Sequence, residues 1–301
     1  MLDLTKLTTE QRNPKTMELD TFSSLEIARV MNEENNRVIE GIDRVLPQIA
    51  TAIDWAGEAL NAGGRIIYLG AGTSGRLGVL DAVECPPTFG VSYDTVVGLI
   101  AGGEGAFVKA AEGAEDKAEA GAADLDALSL ESRDIVIGLA ASGRTPYVIG
   151  GLTRAREVGC KTVAIACNEG SKIGAVADLA IEPVCGPEVL TGSTRLKAGT
   201  AQKLVLNMIS TGSMVAAGKV YQNLMVDVKQ SNEKLRVRAQ NIVMMATDCT
   251  REQAADALAA SENNAKRAIT MILLGCSADE AAAALEAAHG HVRAAVEAHE
   301  A

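Results

Sequence analysis

Aromatic residues are scarce: one Trp, four Tyr and three Phe occur in 301 residues. That is too few for the stacking platforms on which single-stranded nucleic acids are held. Positive charge is also in the minority, with 28 Lys and Arg against 39 Asp and Glu and a net charge of −11, so a polyphosphate backbone would be repelled. No nucleic-acid partner is expected. Histidine is nearly absent, and the three present (His289, His291, His299) all lie at the far C-terminal end. The six cysteines form no CxxC pair, so the sequence indicates neither a metal site nor a disulfide framework. Long apolar runs are missing too. The first residues, MLDLTKLTTEQRNPK, lack the apolar core of a signal peptide, and the uncharged stretch between Lys203 and Lys219 is short and interrupted by Asn207, Ser210, Thr211 and Ser213. These absences predict a reduced, soluble, cytoplasmic protein without a membrane partner.

What is present divides the chain into three stretches. In residues 1–62 apolar residues recur at helical spacing (Leu25, Ile27, Val30, Met31, then Val38, Ile39, Ile42, Val45, Leu46, Ile49, Ile53), which predicts two helices suited to packing and to an oligomer contact. In residues 63–240 short apolar runs (Arg65–Leu69, Thr95–Ile100, Asp134–Leu139, Thr162–Cys167, Leu179–Val184) alternate with helical segments. Such β-branched runs, each followed by a helix, predict an α/β domain with a doubly wound, parallel, five-stranded sheet. Ligands of such a sheet bind at the carboxyl ends of its strands. Residues 241–301 are alanine-rich, helical in pattern and internally repeated. Gln253 to Leu258 is echoed by Glu280 to Leu285, and Lys266 to Ile269 by Arg293 to Val296. Gly275 to Glu280 reads as a helix stop followed by an N-cap, and the three histidines as solvated helix-end residues.

The candidate chemistry lies in the loops of the middle stretch. Gly70-Ala-Gly-Thr-Ser-Gly-Arg76 satisfies GxGxxG, but a dinucleotide site wants an acidic residue at the next strand end, about 20 residues on. Here the next strand ends at Ile100, later than that rule expects. Gly72, Thr73 and Ser74 fit a compact monophosphate held by backbone N–H groups at a helix start; a plain tight turn is the other reading. A second loop of the same character, Ala140-Ala-Ser-Gly-Arg-Thr-Pro146, brings Ser142, Gly143 and Thr145 to another strand end, with Pro146 suited to the first helical turn. A third stretch, Gly186 to Gly199, supplies Glu188, Thr191, Ser193, Arg195 and Lys197 before a helix. Glu104 is a further strand-end carboxylate in reserve.

Together, Gly70 to Arg76, Ser142 to Thr145 and Gly186 to Gly199 resemble the sugar isomerase (SIS) domain. More narrowly, they resemble the N-acetylmuramic acid 6-phosphate etherase family and its glucokinase-regulatory relatives. The resemblance extends to TEQRN near the start, Leu80 to Thr88, Glu112 to Asp116, Asn223 to Asp227 and the helical C-terminal stretch. One departure is Ala140, where sugar isomerases often place another serine; phosphate binding then leans on Ser74, Ser142, Gly143 and Thr145. The resemblance implies a cofactor-independent lyase that removes D-lactate from C3 of a phosphorylated amino sugar, and a homodimer whose partner subunit helps to close each site. Such an elimination needs a base and an acid. No histidine lies in the α/β stretch, so carboxylates are the natural candidates, provided burial raises the pKa of one of them. By resemblance these are Glu84, as the acid that protonates the departing lactate and then activates water, and Glu115, as the base at C2. From the residues alone, Glu84 reads as a surface charge where Pro86 and Pro87 stop a helix, and Glu115 as part of a solvated acidic face. Cys85 reads as a buried structural cysteine. An aldose–ketose isomerase would share the loops and the proton abstraction but need no acid for a leaving group. A non-catalytic sugar-phosphate sensor would need only the loops.

Overall fold

A computed structural model of the protein describes residues 7–228, 230 and 232–300. After three short 3-10 turns between Thr8 and Thr21 come α1 (Ser24–Glu34), α2 (Asn36–Asp43) and α3 (Leu46–Asn61). The sequence predicts two helices here and the structure has three. Pro47 is the reason: without an N–H it sits in the first turn of α3, so the preceding helix cannot run through it. The α/β part follows as β1 (Ile66–Gly70), α4 (Gly72–Phe89), β2 (Val96–Ile100), α5 (Gly105–Val108), α6 (Ala118–Ala127), β3 (Ile135–Leu139), α7 (Pro146–Val158), β4 (Lys161–Ile165), α8 (Lys172–Val176), β5 (Leu179–Ile181) and α9 (Lys197–Ala216). The five strands are parallel in the order β2-β1-β3-β4-β5, the doubly wound sheet that the apolar runs predict. β1 and β3 are buried along their whole length, which explains why they read as continuous apolar runs rather than alternating ones.

The end of α4 differs from expectation. Pro86 and Pro87 do not stop the helix but lie within its last turn, and the helix runs to Phe89. It ends at Gly90, which is left-handed (φ 68°) and donates its N–H to the Pro86 carbonyl at 3.0 Å. The two prolines remove N–H donors near the C-terminal end, where few further turns depend on them.

The chain forms two compact units. The first comprises the residues up to Val83 with Asp94–Ser210, and the second Glu84–Tyr93 with the chain from Thr211 on. In the first, one face of the sheet packs Ile67, Leu69, Val136 and Ala164 against Tyr147, Val148, Leu152 and Ile173. At the amino-terminal edge of the sheet, buried Asp134 takes Arg65 at 2.6 Å and fixes the starts of β1 and β3, leaving the opposite ends free for loops.

The second unit contains a small antiparallel hairpin, β6 (Val220–Tyr221) with β7 (Leu224–Met225), and α10 (Glu233–Thr247), α11 (Arg251–Ala260), α12 (Ala265–Leu274), α13 (Ala278–Ala287) and α14 (Val292–Glu300). The repeat seen in sequence is a repeat in structure: α11–α12 and α13–α14 are equivalent helix pairs. Each opens with a capping box, Thr250 with Gln253 and Ser277 with Glu280. Each turns through two left-handed residues, Glu262–Asn263 and His289–Gly290. Gly275 and Ser277 are the predicted stop and N-cap, and His289, His291 and His299 lie at helix ends. Val226, Ile242, Val243, Leu258, Ile269 and Leu285 form this unit's core. Among the described residues no single helix is long and apolar enough to cross a membrane.

Candidate functional site

The strand order places a topological switch point between β1 and β3. The chain leaves β1 toward β2 on one side and returns with β3 on the other, so the loops after β1 and β3 diverge from a shared crevice. Gly70 pairs with Leu139, so both loops start at the same level. The two hydroxyl-bearing loops that the sequence singles out, from strands that are not consecutive, are thus neighbours.

The first loop is short because α4 begins at Gly72. The first helical hydrogen bond is donated by Gly75 to Ala71 at 3.1 Å, which leaves the N–H groups of Gly72, Thr73 and Ser74 outside the helical ladder and favourable to an anion. Ser74 is buried, and its hydroxyl donates to Gln202 Oε1 on α9 at 2.9 Å. Gln202 is fully buried and its Nε2 has no partner among the described residues, an uncommon state for a buried donor. Sequence reasoning missed Gln202 as a separate group, although it lies in the family-like segment that leads α9.

In the second loop Gly143 is left-handed (φ 73°), and a Cβ there would lie 2.4 Å from Ser171 Cβ, so the position requires glycine. Its N–H donates to Ala140 O and its carbonyl accepts from Ile173, which fixes the turn. Thr145 is the N-cap of α7, but its hydroxyl makes no cap hydrogen bond, and Pro146 occupies the first turn as expected. Ser142 and Thr145 are both partly exposed at the crevice end of β3.

The third stretch is organised differently from expectation. Glu188 and Lys197, read from sequence as ligand contacts, are 1% and 2% exposed. Glu188 caps α9, its two carboxylate oxygens accepting the N–H groups of Lys197 (3.0 Å) and Ala198 (2.9 Å). Lys197 donates its ammonium to Glu34 of α1 at 2.6 Å. Glu34 also accepts from Lys15 and Asn13, both at 2.9 Å. The polar groups of Glu188 and Lys197 are therefore taken up within the chain, because a buried charge must be paired. Ser193, in the turn between them, is partly exposed.

Burial pushes the Glu34 carboxyl up, but the bonds from Lys197 and Lys15 outweigh it and hold the pKa at about 2. Glu188 has the opposite sign: burial raises it, against the two backbone N–H groups that lower it. A depressed pKa stabilises the fold above the unfolded value and loses that contribution as pH falls toward the folded one. Glu34 thus contributes stability that is fully present above about pH 4.5 and is lost as pH falls toward 2. Lys197→Met is expected to lower stability by about 3 kcal/mol, since it strands a buried carboxylate, and Glu34→Gln in the same chain to recover much of it. Urea titrations of the two variants check this. Equal loss in single and double variants would contradict a charge-based cause.

The two candidate carboxylates are exposed. Glu115 sits in a 3-10 turn, Ala114–Asp116, in the long connection between β2 and α6. Glu84 lies on α4 and belongs to the second unit. On this helix Asp81, Ala82 and Cys85 are buried while Val83, Glu84 and Pro87 face outward, so Glu84 projects from the helix and Cys85 is structural. Asp81 accepts from Tyr68 at 2.8 Å, from Ser210 at 3.2 Å and from Asn207, fixing α4 against β1 and α9. The expectation that one catalytic carboxylate is buried is not met in the isolated chain, because neither residue lies under another element. Among the described residues no cluster of three His, Cys, Asp or Glu side chains is arranged to hold a metal ion.

This arrangement matches known proteins. Residues 48–156 match the glucokinase regulatory protein N-terminal SIS domain, and residues 114–212 match the SIS domain. The chain superposes on a phosphoheptose isomerase from Francisella tularensis with a TM-score of 0.50, at 17% identity over 64% of this chain and 100% of that one, a likeness of fold. It is 60% identical to the N-acetylmuramic acid 6-phosphate etherase of Cronobacter sakazakii over 98% of this chain and 100% of that protein. The same identity holds for the etherase of Pectobacterium atrosepticum, over 98% and 97%. With that similarity running through both units, the chain belongs to the N-acetylmuramic acid 6-phosphate etherase family.

Proposed function

We propose that this protein is an N-acetylmuramic acid 6-phosphate etherase, cleaving the C3 lactyl ether to give D-lactate and N-acetylglucosamine 6-phosphate in cell-wall sugar recycling or catabolism. The observation that carries the reading is the pair of hydroxyl-bearing loops, side by side at the β1/β3 switch point of a chain of this family. A sugar phosphate seated there meets the N–H groups of Gly72, Thr73 and Ser74 from one side and Ser142, Gly143 and Thr145 from the other. Ser193 adds a hydroxyl from the third stretch, which Glu188 and Lys197 hold in place.

An ether is a poor leaving group, and the chemistry needs an activated neighbour. In the ring-opened sugar the C2 hydrogen is α to the aldehyde and the C3 oxygen is β to it. Glu115 removes the C2 proton, the electron pair forms the C2–C3 double bond, and the C3–O bond breaks. Glu84 gives its proton to the departing lactate oxygen. It then takes a proton from water as the hydroxyl adds at C3, and C2 is reprotonated. No electrons are gained or lost, so the reaction needs no redox cofactor.

The exposure of both carboxylates in the isolated chain supports a homodimer. Leu80 and Val83 are exposed on α4 just before Glu84, and Leu25, Ile39 and Leu46 are exposed on the N-terminal helices. A partner subunit over α4 would cover this apolar surface and desolvate Glu84, supplying the low dielectric that a general acid needs. A cytoplasmic location fits the phosphorylated substrate. Incubation with N-acetylmuramic acid 6-phosphate and a chelator is expected to release D-lactate and N-acetylglucosamine 6-phosphate in equal amounts; a ketose product would indicate an isomerase instead. Light scattering is expected to give twice the chain mass, and a fully active monomer would refute the dimer.

A further inference from the structure

An arginine in a glycine-rich phosphate loop invites assignment as a phosphate ligand, because its planar fork suits that group. Arg76, which closes the first loop, is used otherwise. Its Nε donates to the carbonyl of Phe107 at 2.7 Å and its Nη2 to that of Ala106 at 2.8 Å. Both carbonyls belong to α5, in the connection that runs from β2 through Gly102 to Asp116 and carries Glu115. The fork is therefore spent on the backbone of another loop.

That connection is a self-packed loop of the Ω kind. Gly102 is left-handed (φ 90°), and a Cβ on it would lie 2.5 Å from Ala111 Cβ, 3.3 Å from Ala106 Cβ and 3.4 Å from Ala114 Cβ; these three alanines close around it. Its backbone bonds stay local: Ala106 to Gly103, Phe107 to Glu104, Lys109 to Gly105, Ala114 to Ala111 and Asp116 to Gly113. Nearly all its residues are exposed, Phe107 and Val108 included. Two attachments bind it to the β1 loop: Ala101 N–H to Gly70 O at 2.9 Å, at its root, and the Arg76 fork, farther along. A loop with so little buried apolar surface has low local stability and depends on such ties.

We infer that Arg76 is a positioning residue: it ties the phosphate-binding helix start to the loop that carries Glu115, so that the base is held at a fixed place relative to the seated phosphate. The inference rests on the assignment of Glu115 as the C2 base. It makes the loop, and not a second phosphate contact, the reason for an arginine at this position.

The test uses full-length Arg76→Met, Arg76→Lys and Glu115→Gln. Arg76→Lys keeps a charge and a donor and guards against simple loss of fold. In Arg76→Met, hydrogen–deuterium exchange of residues 102–116 is expected to accelerate about tenfold, with the sheet unchanged. Lactate turnover and C2 hydrogen exchange are expected to fall together by about 10- to 100-fold, since a small misplacement of a base is costly. Affinity for N-acetylglucosamine 6-phosphate is expected to change less than about threefold, because a tether makes no substrate contact. Arg76→Lys should fall between wild type and Arg76→Met in loop exchange and turnover. Weakening of product affinity by about tenfold or more with an unaltered loop would make Arg76 a phosphate ligand and overturn the inference. A loosened loop with unchanged turnover would overturn it too. Glu115→Gln separates the two claims: wild-type C2 exchange in that variant refutes the base assignment, whereas abolished exchange there with normal exchange in Arg76→Met refutes the tether alone.

Discussion

Glu84→Gln is expected to lower D-lactate release by about 10³-fold while C2 hydrogen exchange with solvent continues, since general acid–base groups typically contribute about 10²- to 10⁴-fold. The glutamine keeps the shape of the side chain and its outward placement on α4, but it cannot donate a proton to an alkoxide. The helix itself stays fixed, because Asp81, one turn earlier, is held by Tyr68, Asn207 and Ser210. Proton removal at C2 lies before the C3–O bond breaks, so its reversal remains open to a different base. Parallel measurement of lactate by enzymatic assay and of C2 deuteration by proton NMR checks the split. If lactate release persisted at near wild-type rate, Glu84 would not be the acid. An isomerase that moves the proton between C2 and C1 would be largely indifferent to this substitution.

Glu115→Gln is expected to produce the complementary pattern, with both C2 exchange and lactate release falling together by about 10²- to 10⁴-fold. Without the base the carbanionic character at C2 never develops, so nothing downstream proceeds at speed. The fold should tolerate the change, because Glu115 sits exposed in a short turn and makes no ion pair among the described residues. Thermal unfolding within about 0.5 kcal/mol of wild type would accompany the loss, as for an ordinary surface substitution. Retention of C2 exchange in this variant would move the base to another residue, with Glu104 at the start of the same loop next to be tested.

The two variants together test the proposed division of labour between the carboxylates. They also bear on the exposure of both side chains, since a solvated carboxylate is a poor general acid at neutral pH. Apolar Leu80 and Val83 beside Glu84 supply a surface whose covering would change that.

How far the sequence carried depended on the range of the interaction. The five parallel strands were legible because β1 and β3 are buried on both faces and read as unbroken apolar runs. The two hydroxyl-bearing loops were legible because Gly70, Gly72 and Gly143 mark strand-to-helix turns by their local chemistry, and the strand order then brought them together. The C-terminal repeat was legible in its alanines and its caps. Fine punctuation was less so: Pro47 begins a helix where the apolar spacing runs on, and Pro86–Pro87 fit inside the last turn of α4 because Gly90 is the actual stop. What could not be read was who partners whom across the fold. Lys197 finds Glu34 163 positions away, and Ser74 finds Gln202 128 positions away, and nothing in either local pattern announces the match. For that reason the burial and internal pairing of Glu188 and Lys197 were not legible, and Gln202 went unnoticed.

We propose that lactate leaves by elimination, with re-addition of water through C2. The most direct test is turnover of N-acetylmuramic acid 6-phosphate in heavy water by the wild-type protein, with chelator present and the product examined by mass spectrometry and proton NMR. The mechanism predicts solvent deuterium at C2 of the N-acetylglucosamine 6-phosphate released with D-lactate. Lactate released with the original hydrogen still at C2 would mean direct displacement at the ether carbon, and would contradict the roles given to both carboxylates.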